Sequence, residues 1–290
     1  MLAWLQVRLN GGTFILRMED LDQPRVVSGS AEQIVQQLRW LGLDWDEGPD
    51  IGGPVGPYQQ SERTHNYASA FAYLQQQGLI YPCFCSRRDI NNAASAPHGP
   101  EGPVYPGTCR DITVDDIAEL SARTGRQPAW RFRASAGELE YVDEVLGAQQ
   151  HNVAKETGDF VVLRRDGLFA YQLAVVVDDA LMGITDVLRG ADLAPSTPRQ
   201  ILLYRALGLS PPRFWHVPLM LGEDGQRLAK RDGNDISNIL NNETPDELVN
   251  KLLTSLQIRS PMGGRALAEL VSTMTGDEFL THLRQAVQPA

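Results

Sequence analysis

Apolar side chains recur along this chain at spacings that change from segment to segment. Leu2, Trp4, Leu5, Val7 and Leu9 read as a helix already under way, with no Ser, Thr, Asp or Asn ahead of it to cap the first turn. Gly11-Gly12 ends that helix, and Thr13 to Leu16 reads as a strand running into Glu19 and Asp20. From Ser30 to Leu43, Ile34, Val35, Leu38 and Leu41 return at helical spacing, and Ser28 or Ser30 is available as the cap. A loop rich in Gly and Pro follows. Then a helix from about Glu62 to Gln77 presents Tyr67, Phe71 and Leu74 before Gly78 stops it.

The next stretch, from Tyr81 to about Cys109, is too irregular to pack a core by pattern. Between 129 and 190, short β-like runs (Trp130 to Phe132, Phe160 to Leu163, Ala174 to Val177) alternate with turns. Thr197-Pro198 and Thr244-Pro245 each set a capping threonine before a proline at the first helical position. Between them, His216 to Leu221 is a short apolar strand leading into a polar, glycine-containing loop, and the tail to Ala290 reads as helical. Helices alternating with short strands predict an α/β nucleotide-binding core, with the Cys-rich insert as a satellite.

Composition narrows the classes. At 42% hydrophobic and 21% charged the chain has ample material for a buried core, and no apolar run reaches the length of a membrane span. The first residues carry no basic region followed by a small-residue cleavage site, so a secretory signal is not expected. A net charge of −10 argues against indiscriminate nucleic-acid binding, though not against an RNA held by a local basic patch. Three cysteines, an odd number, do not suggest a disulfide framework, and a cytoplasmic location is expected.

All three cysteines lie in the insert: Cys83 and Cys85 one residue apart, and Cys109 across a loop. Grouped thiolates in a reducing compartment point to zinc, which needs a fourth ligand. Tyr105 and His98 are the candidates, and by ligand chemistry alone His98 comes first. Elsewhere, Arg17, Glu19, Asp20 and Asp22 fall at the end of a predicted strand, where ligands of open α/β sheets bind. Glu19 could take a substrate ammonium, and Arg189 has the planar fork that suits a carboxylate. Tyr171 offers a hydroxyl on an aromatic body. Arg227, Lys230 and Arg231 form a basic loop able to neutralise phosphates. In isolation each also fits an ordinary role: a turn carboxylate, a surface ion pair, a core aromatic, a solvated basic turn.

Taken in order, "FILRMEDLDQPR", "GPYQQSERTHNYASAFAYLQQQGLIYPCFC", "YQLAVVVDDALMGITDVLRGADLAPSTPRQILLYRALGL" and "RLAKRDG" resemble the series found in glutamyl-tRNA synthetase-like class I enzymes. Only a short helical tail follows the last motif, so the chain looks like the stand-alone glutamyl-Q tRNA(Asp) synthetase branch rather than a synthetase with an anticodon-binding domain. The resemblance implies a Rossmann-like class I synthetase core with a zinc-binding insert. Its expected parts are residues 1–80 (first part of the core), 81–128 (insert), 129–235 (remainder of the core with a KMSKS-like loop) and 236–290 (helical tail).

The activity implied is ATP-dependent activation of glutamate, with Mg2+ accompanying ATP, and its transfer to queuosine in the anticodon loop of tRNA(Asp). A monomer without membrane association is expected. The resemblance assigns glutamate binding to Glu19, Tyr171 and Arg189, ATP binding to Arg227 and Lys230 with Lys230 catalytic, and one zinc ion to Cys83, Cys85, Tyr105 and Cys109. Tyr105 thereby moves ahead of His98, which stays the second candidate. Arg227 replaces the first lysine of the loop motif, Ala229 its serine, and Asp186 stands where relatives often carry histidine. The family's first strand and its HIGH-type motif have no counterpart here, so an upstream start is expected. A fragment of an ordinary glutamyl-tRNA synthetase, or a non-catalytic zinc-containing tRNA-binding paralogue, are the competing expectations.

Overall fold

The structure is a computed structural model that describes residues 1–86, 88–90, 104–219, 243–255 and 266–287. Its strands are β1 (Ile80–Cys83), β2 (Ala129–Phe132), β3 (Glu138–Asp143), β4 (Gly147–Asn152), β5 (Phe160–Leu163), β6 (Asp186–Gly190) and β7 (Arg213–Val217). Its α-helices are α1 (Leu2–Leu9), α2 (Ser30–Trp40), α3 (Thr64–Gln76), α4 (Ile117–Thr124), α5 (Tyr171–Leu181), α6 (Thr197–Ala206), α7 (Pro245–Ser255), α8 (Ala266–Thr273) and α9 (Gly276–Ala286).

β1, β2 and β5 form an antiparallel sheet, while β4, β3, β7 and β6 lie in that order in a mixed one. Within the mixed sheet β3–β7 and β6–β7 are parallel and β3–β4 is antiparallel. Side chains alternate across a strand, so β6 and β7 each serve two cores. Val187 and Phe214 join Leu173, Val176, Leu203 and Tyr204 of α5 and α6 on one face. Leu188, Trp215 and Val217 join Trp4 and Leu5 of α1 and Val249, Leu253 and Phe279 of the tail helices on the other.

Several expected elements form as their patterns indicate. Tyr67 and Leu74 of α3 are fully buried, and Thr244 and Thr275 close capping boxes with Glu247 and Glu278. Other expectations are corrected. Ala174 to Val177 belong to helix α5, not to a strand. A run of valines favours strand by intrinsic preference, but here the helix is walled by protein nearly all round, and burial overrides propensity. Residues 13–16 form only one isolated bridge, Ile15 to Glu47, with a second just beyond them from Met18 to Gln59, because their neighbours on that side are loops. Neither Ser28 nor Ser30 caps α2; the cap position is Gly29, in a left-handed conformation with φ 81°. Finally, the Cys-rich insert does pack a small core of its own, since Tyr81, Cys83, Tyr105 and Cys109 are all buried together.

Candidate active site

The 13–19 segment, α1, α5 and β6 enclose a cleft of about 870 Å³. Glu19, Tyr171 and Arg189 all line it, although they come from three different stretches of chain. Each is delivered by a different device. Glu19 follows Met18, whose N–H donates to the Tyr58 carbonyl at 2.8 Å and whose own carbonyl accepts from Gln60 N–H at 3.0 Å. Tyr171 is the first residue of α5. Arg189 lies near the carboxyl end of β6, the end at which ligands bind in open α/β sheets.

Electrostatics around Glu19 are organised from behind. Arg17 Nη2 lies 3.6 Å from Glu19 Oε1, and Arg17 Nη1 donates to Asp179 Oδ1 at 2.8 Å. The cleft walls strip water from the Glu19 carboxylate and push its pKa up, a shift that Arg17 opposes and Asp179 reinforces. The side chain itself remains 48% accessible and lines the cleft. Burial likewise raises Tyr171, with Arg189 opposing.

Beneath Arg17 sits Asp178, fully buried, which gathers Arg63 Nε (2.6 Å), Tyr67 Oη (2.7 Å) and Gln60 Nε2 (2.8 Å). The sequence pattern assigned no role to this aspartate. Its signal was available: two adjacent carboxylates end an otherwise apolar run, and buried carboxylates are tolerated only when paired. Asp186 pairs with Arg213 at 2.9 Å and accepts from Trp215 Nε1 at 2.9 Å on the cleft's other wall. Gly190, directly after Arg189, is closely flanked: a Cβ there would lie 2.6 Å from Asp192 Oδ1 and 2.8 Å from Leu219 Cδ2, so those side chains would have to shift.

At the far side of the antiparallel sheet the three cysteine sulfurs lie within 4.8 Å of one another. Cys85 Sγ is 3.4 Å from Cys109 Sγ, and Tyr105 Oη is 3.4 Å from Cys83 Sγ and 3.6 Å from Cys85 Sγ. A tetrahedral ion with Zn–S near 2.3 Å would hold its sulfurs about 3.8 Å apart, so this donor set suits one metal ion. The shared hydrogen bond between Cys83 and Cys109 pulls the Cys109 thiol down and pushes Cys83 up. The Arg131 guanidinium stacks 3.9 Å from the Tyr105 ring centroid and donates to Cys83 Sγ at 3.3 Å, adding positive charge against the sulfurs. His98, Arg227, Lys230 and Arg231 lie outside the described residues.

Residues 1–282 match the family of tRNA synthetases class I (E and Q), catalytic domain. The chain belongs to this class I tRNA synthetase family. A glutamyl-Q tRNA(Asp) synthetase of Symbiobacterium thermophilum is 57% identical over 235 residues, which is 80% of this chain and 72% of that protein. One from Nitratidesulfovibrio vulgaris is 52% identical over 232 residues, 80% of this chain and 71% of its own. The fold superposes on a glutamate-tRNA synthetase from Elizabethkingia anophelis with a TM-score of 0.74 and 26% identity, covering 96% of this chain and 60% of that one. A class I tRNA synthetase uses ATP, an amino acid and tRNA. Among the described residues, no helix is long and apolar enough to cross a membrane.

Proposed function

We propose that this chain activates glutamate with ATP and transfers it to the queuosine base of tRNA(Asp). The observation that carries the reading is the convergence of a carboxylate, a phenol and a guanidinium on one cleft, the set a zwitterion with two carboxylates requires. The names and identities of the relatives supply the acceptor. Glu19 takes the substrate ammonium, Arg189 a substrate carboxylate, and Tyr171 stands beside Arg189. The glutamate α-carboxylate attacks the α-phosphorus of ATP, the bond to the bridging oxygen breaks, and pyrophosphate leaves with its electron pair. Transfer of the glutamyl group then releases AMP. Lys230 and Arg227 are assigned to the developing charge on the phosphates, with Mg2+ entering as part of the ATP complex.

The test is exchange of pyrophosphate into ATP with glutamate and no tRNA, followed by glutamate transfer to tRNA(Asp) with and without queuosine. Glutamate-dependent exchange and transfer only to the queuosine-containing tRNA are expected. Glutamate found instead on the 3′ end of tRNA(Glu) would overturn the reading.

Glu19 makes the binding step sensitive to pH. Its pKa is raised in the free cleft, and a bound ammonium favours the ionised form and lowers it again. Between those two values glutamate binding releases a proton, and affinity falls as pH drops through the free-state value, above the usual carboxylate range near 4.3. Calorimetry in buffers of different ionisation enthalpy should show that release, and Glu19→Gln should abolish it.

Cys83, Cys85, Cys109 and Tyr105 would hold a zinc ion, which supplies a structural cross-link there and takes no part in activation. Metal analysis of the purified chain should find about one zinc per chain. Cys109→Ala should lower that content and the thermal midpoint together, because binding energy at such a site is folding energy.

A further inference from the structure

One face of the parallel sheet carries a chain of polar side chains among apolar neighbours. Asp143, the last residue of β3, and His216 on β7 are both fully inaccessible. His216 Nδ1 lies 2.6 Å from Asp143 Oδ2. The other carboxylate oxygen accepts from the backbone N–H groups of Leu146 (2.9 Å), Val145 (3.0 Å) and His216 (3.3 Å). Burial opposes ionisation of this carboxyl, yet the His216 and backbone donors outweigh it and hold Asp143 below the ordinary range.

The parallel register sets Arg189 of β6 opposite His216. Arg189 Nε donates to His216 Nε2 at 3.0 Å, and Arg189 Nη2 donates to Thr197 Oγ1, at the start of α6, at 2.8 Å. A guanidinium can only donate, so Nε2 must carry the lone pair. The imidazole proton therefore sits on Nδ1 and is given to Asp143. His216 is a neutral, two-ended link between a buried carboxylate and the one guanidinium that the glutamate reading needs. Phe214 completes the seat, with its ring centroid 5.5 Å from the Arg189 guanidinium carbon and stacked 6.3 Å from the His216 ring.

We infer that Asp143 and His216 are positioning residues that lock the Arg189 fork in the orientation that receives a substrate carboxylate. This rests on the assignment of Arg189 to glutamate binding made above. The lock occupies the edge formed by Nε and Nη2, so the terminal edge, Nη1 with the second Nη2 hydrogen, is what the cleft offers to a ligand. Arginine side chains carry large rotamer entropy. A fork held in place beforehand does not lose that freedom again each time glutamate binds. Relaying the charge through histidine, rather than setting Asp143 directly against Arg189, keeps the competing carboxylate away from the edge that the substrate must use.

Two amides separate the two ends of the imidazole. In His216→Asn the amide occupies the Nδ1 position and keeps the Asp143 pairing, but offers nothing to Arg189. In His216→Gln the carbonyl oxygen reaches the Nε2 position and keeps the Arg189 link. The full chain, labelled with 15N-arginine, should show a protected Nε–H beside those of buried Arg63 and Arg131, assigned to Arg189 by its loss in Arg189→Lys. That signal should vanish in His216→Asn and persist in His216→Gln without any ligand present. Glutamate affinity should fall about tenfold in His216→Asn and less than about threefold in His216→Gln, with ATP affinity unchanged in both.

Persistence of the protected signal in His216→Asn would overturn the lock. Equal affinity losses in the two variants, tracking their thermal midpoints, would reduce His216 to a structural role and overturn it as well. An unchanged glutamate affinity in Arg189→Lys would overturn the glutamate role and the substrate half of this inference, while the ligand-free spectrum decides the lock independently.

Discussion

Asp178→Ala is expected to lower folding stability by about 3–5 kcal/mol, the cost of breaking a buried charge pair by removing one member. For a chain of this size that is a fall of roughly 10 °C in thermal midpoint. The argument starts from solvent exclusion: Asp178 is fully inaccessible and Arg63 is 2% exposed, so neither can fall back on water. With the carboxylate gone, Arg63 Nε, Gln60 Nε2 and Tyr67 Oη all lose their acceptor at once. Arg63 still donates to the carbonyls of Pro57 (3.0 Å) and Val55 (3.3 Å), but its charge is left without a counter-ion. The comparison with Arg63→Met and with the double variant checks the cause. Because the two side chains share one network, the double variant should be markedly less destabilised than the sum of the singles. Thermal and denaturant unfolding measure both quantities, and strict additivity would show that the pair is not the source.

Arg189→Ala is the substitution expected to damage activity most. Truncating one partner of a charge-assisted carboxylate contact costs about 2–5 kcal/mol, so kcat/KM for glutamate should fall by roughly two to three orders of magnitude. The loss should appear first in the glutamate dependence of pyrophosphate exchange, with the ATP dependence little changed. Arg189→Lys keeps the charge but not the fork, and should recover only part of the loss. An alanine variant that retains glutamate affinity would remove Arg189 from the substrate site.

The candidate cleft was legible in the sequence to the extent that its residues sit in recognisable ordered stretches. Glu19, Tyr171 and Arg189 could be named from those stretches, and the fold brings them to one cavity. The layer that holds them was not legible. Asp178 and Asp179 lie at the end of a valine-rich run that reads as strand, and only the helical turn of α5 aims one at Arg63 and the other at Arg17. His216 sits in an apolar strand, where a lone histidine gives no hint that its neighbours in space are Asp143 and Arg189 from distant strands. Local pattern reports which face of an element is apolar; it does not report which long-range polar partners meet there. The same limit explains Thr13 to Leu16, where a strand-like apolar run was clear but the pairing partners turned out to be loops.

The parallel sheet has a consequence beyond placing Arg189. Because β6 and β7 send alternate residues into two separate apolar clusters, the sheet is a party wall between them. One side holds residues of α5 and α6, the other residues of α1 and the tail helices. Glutamate held between Tyr171 on the first side and Arg189 on the wall would act as a rivet across that boundary. A ligand so held would do more than occupy a site: it would tie the packing on one side of the wall to the packing on the other.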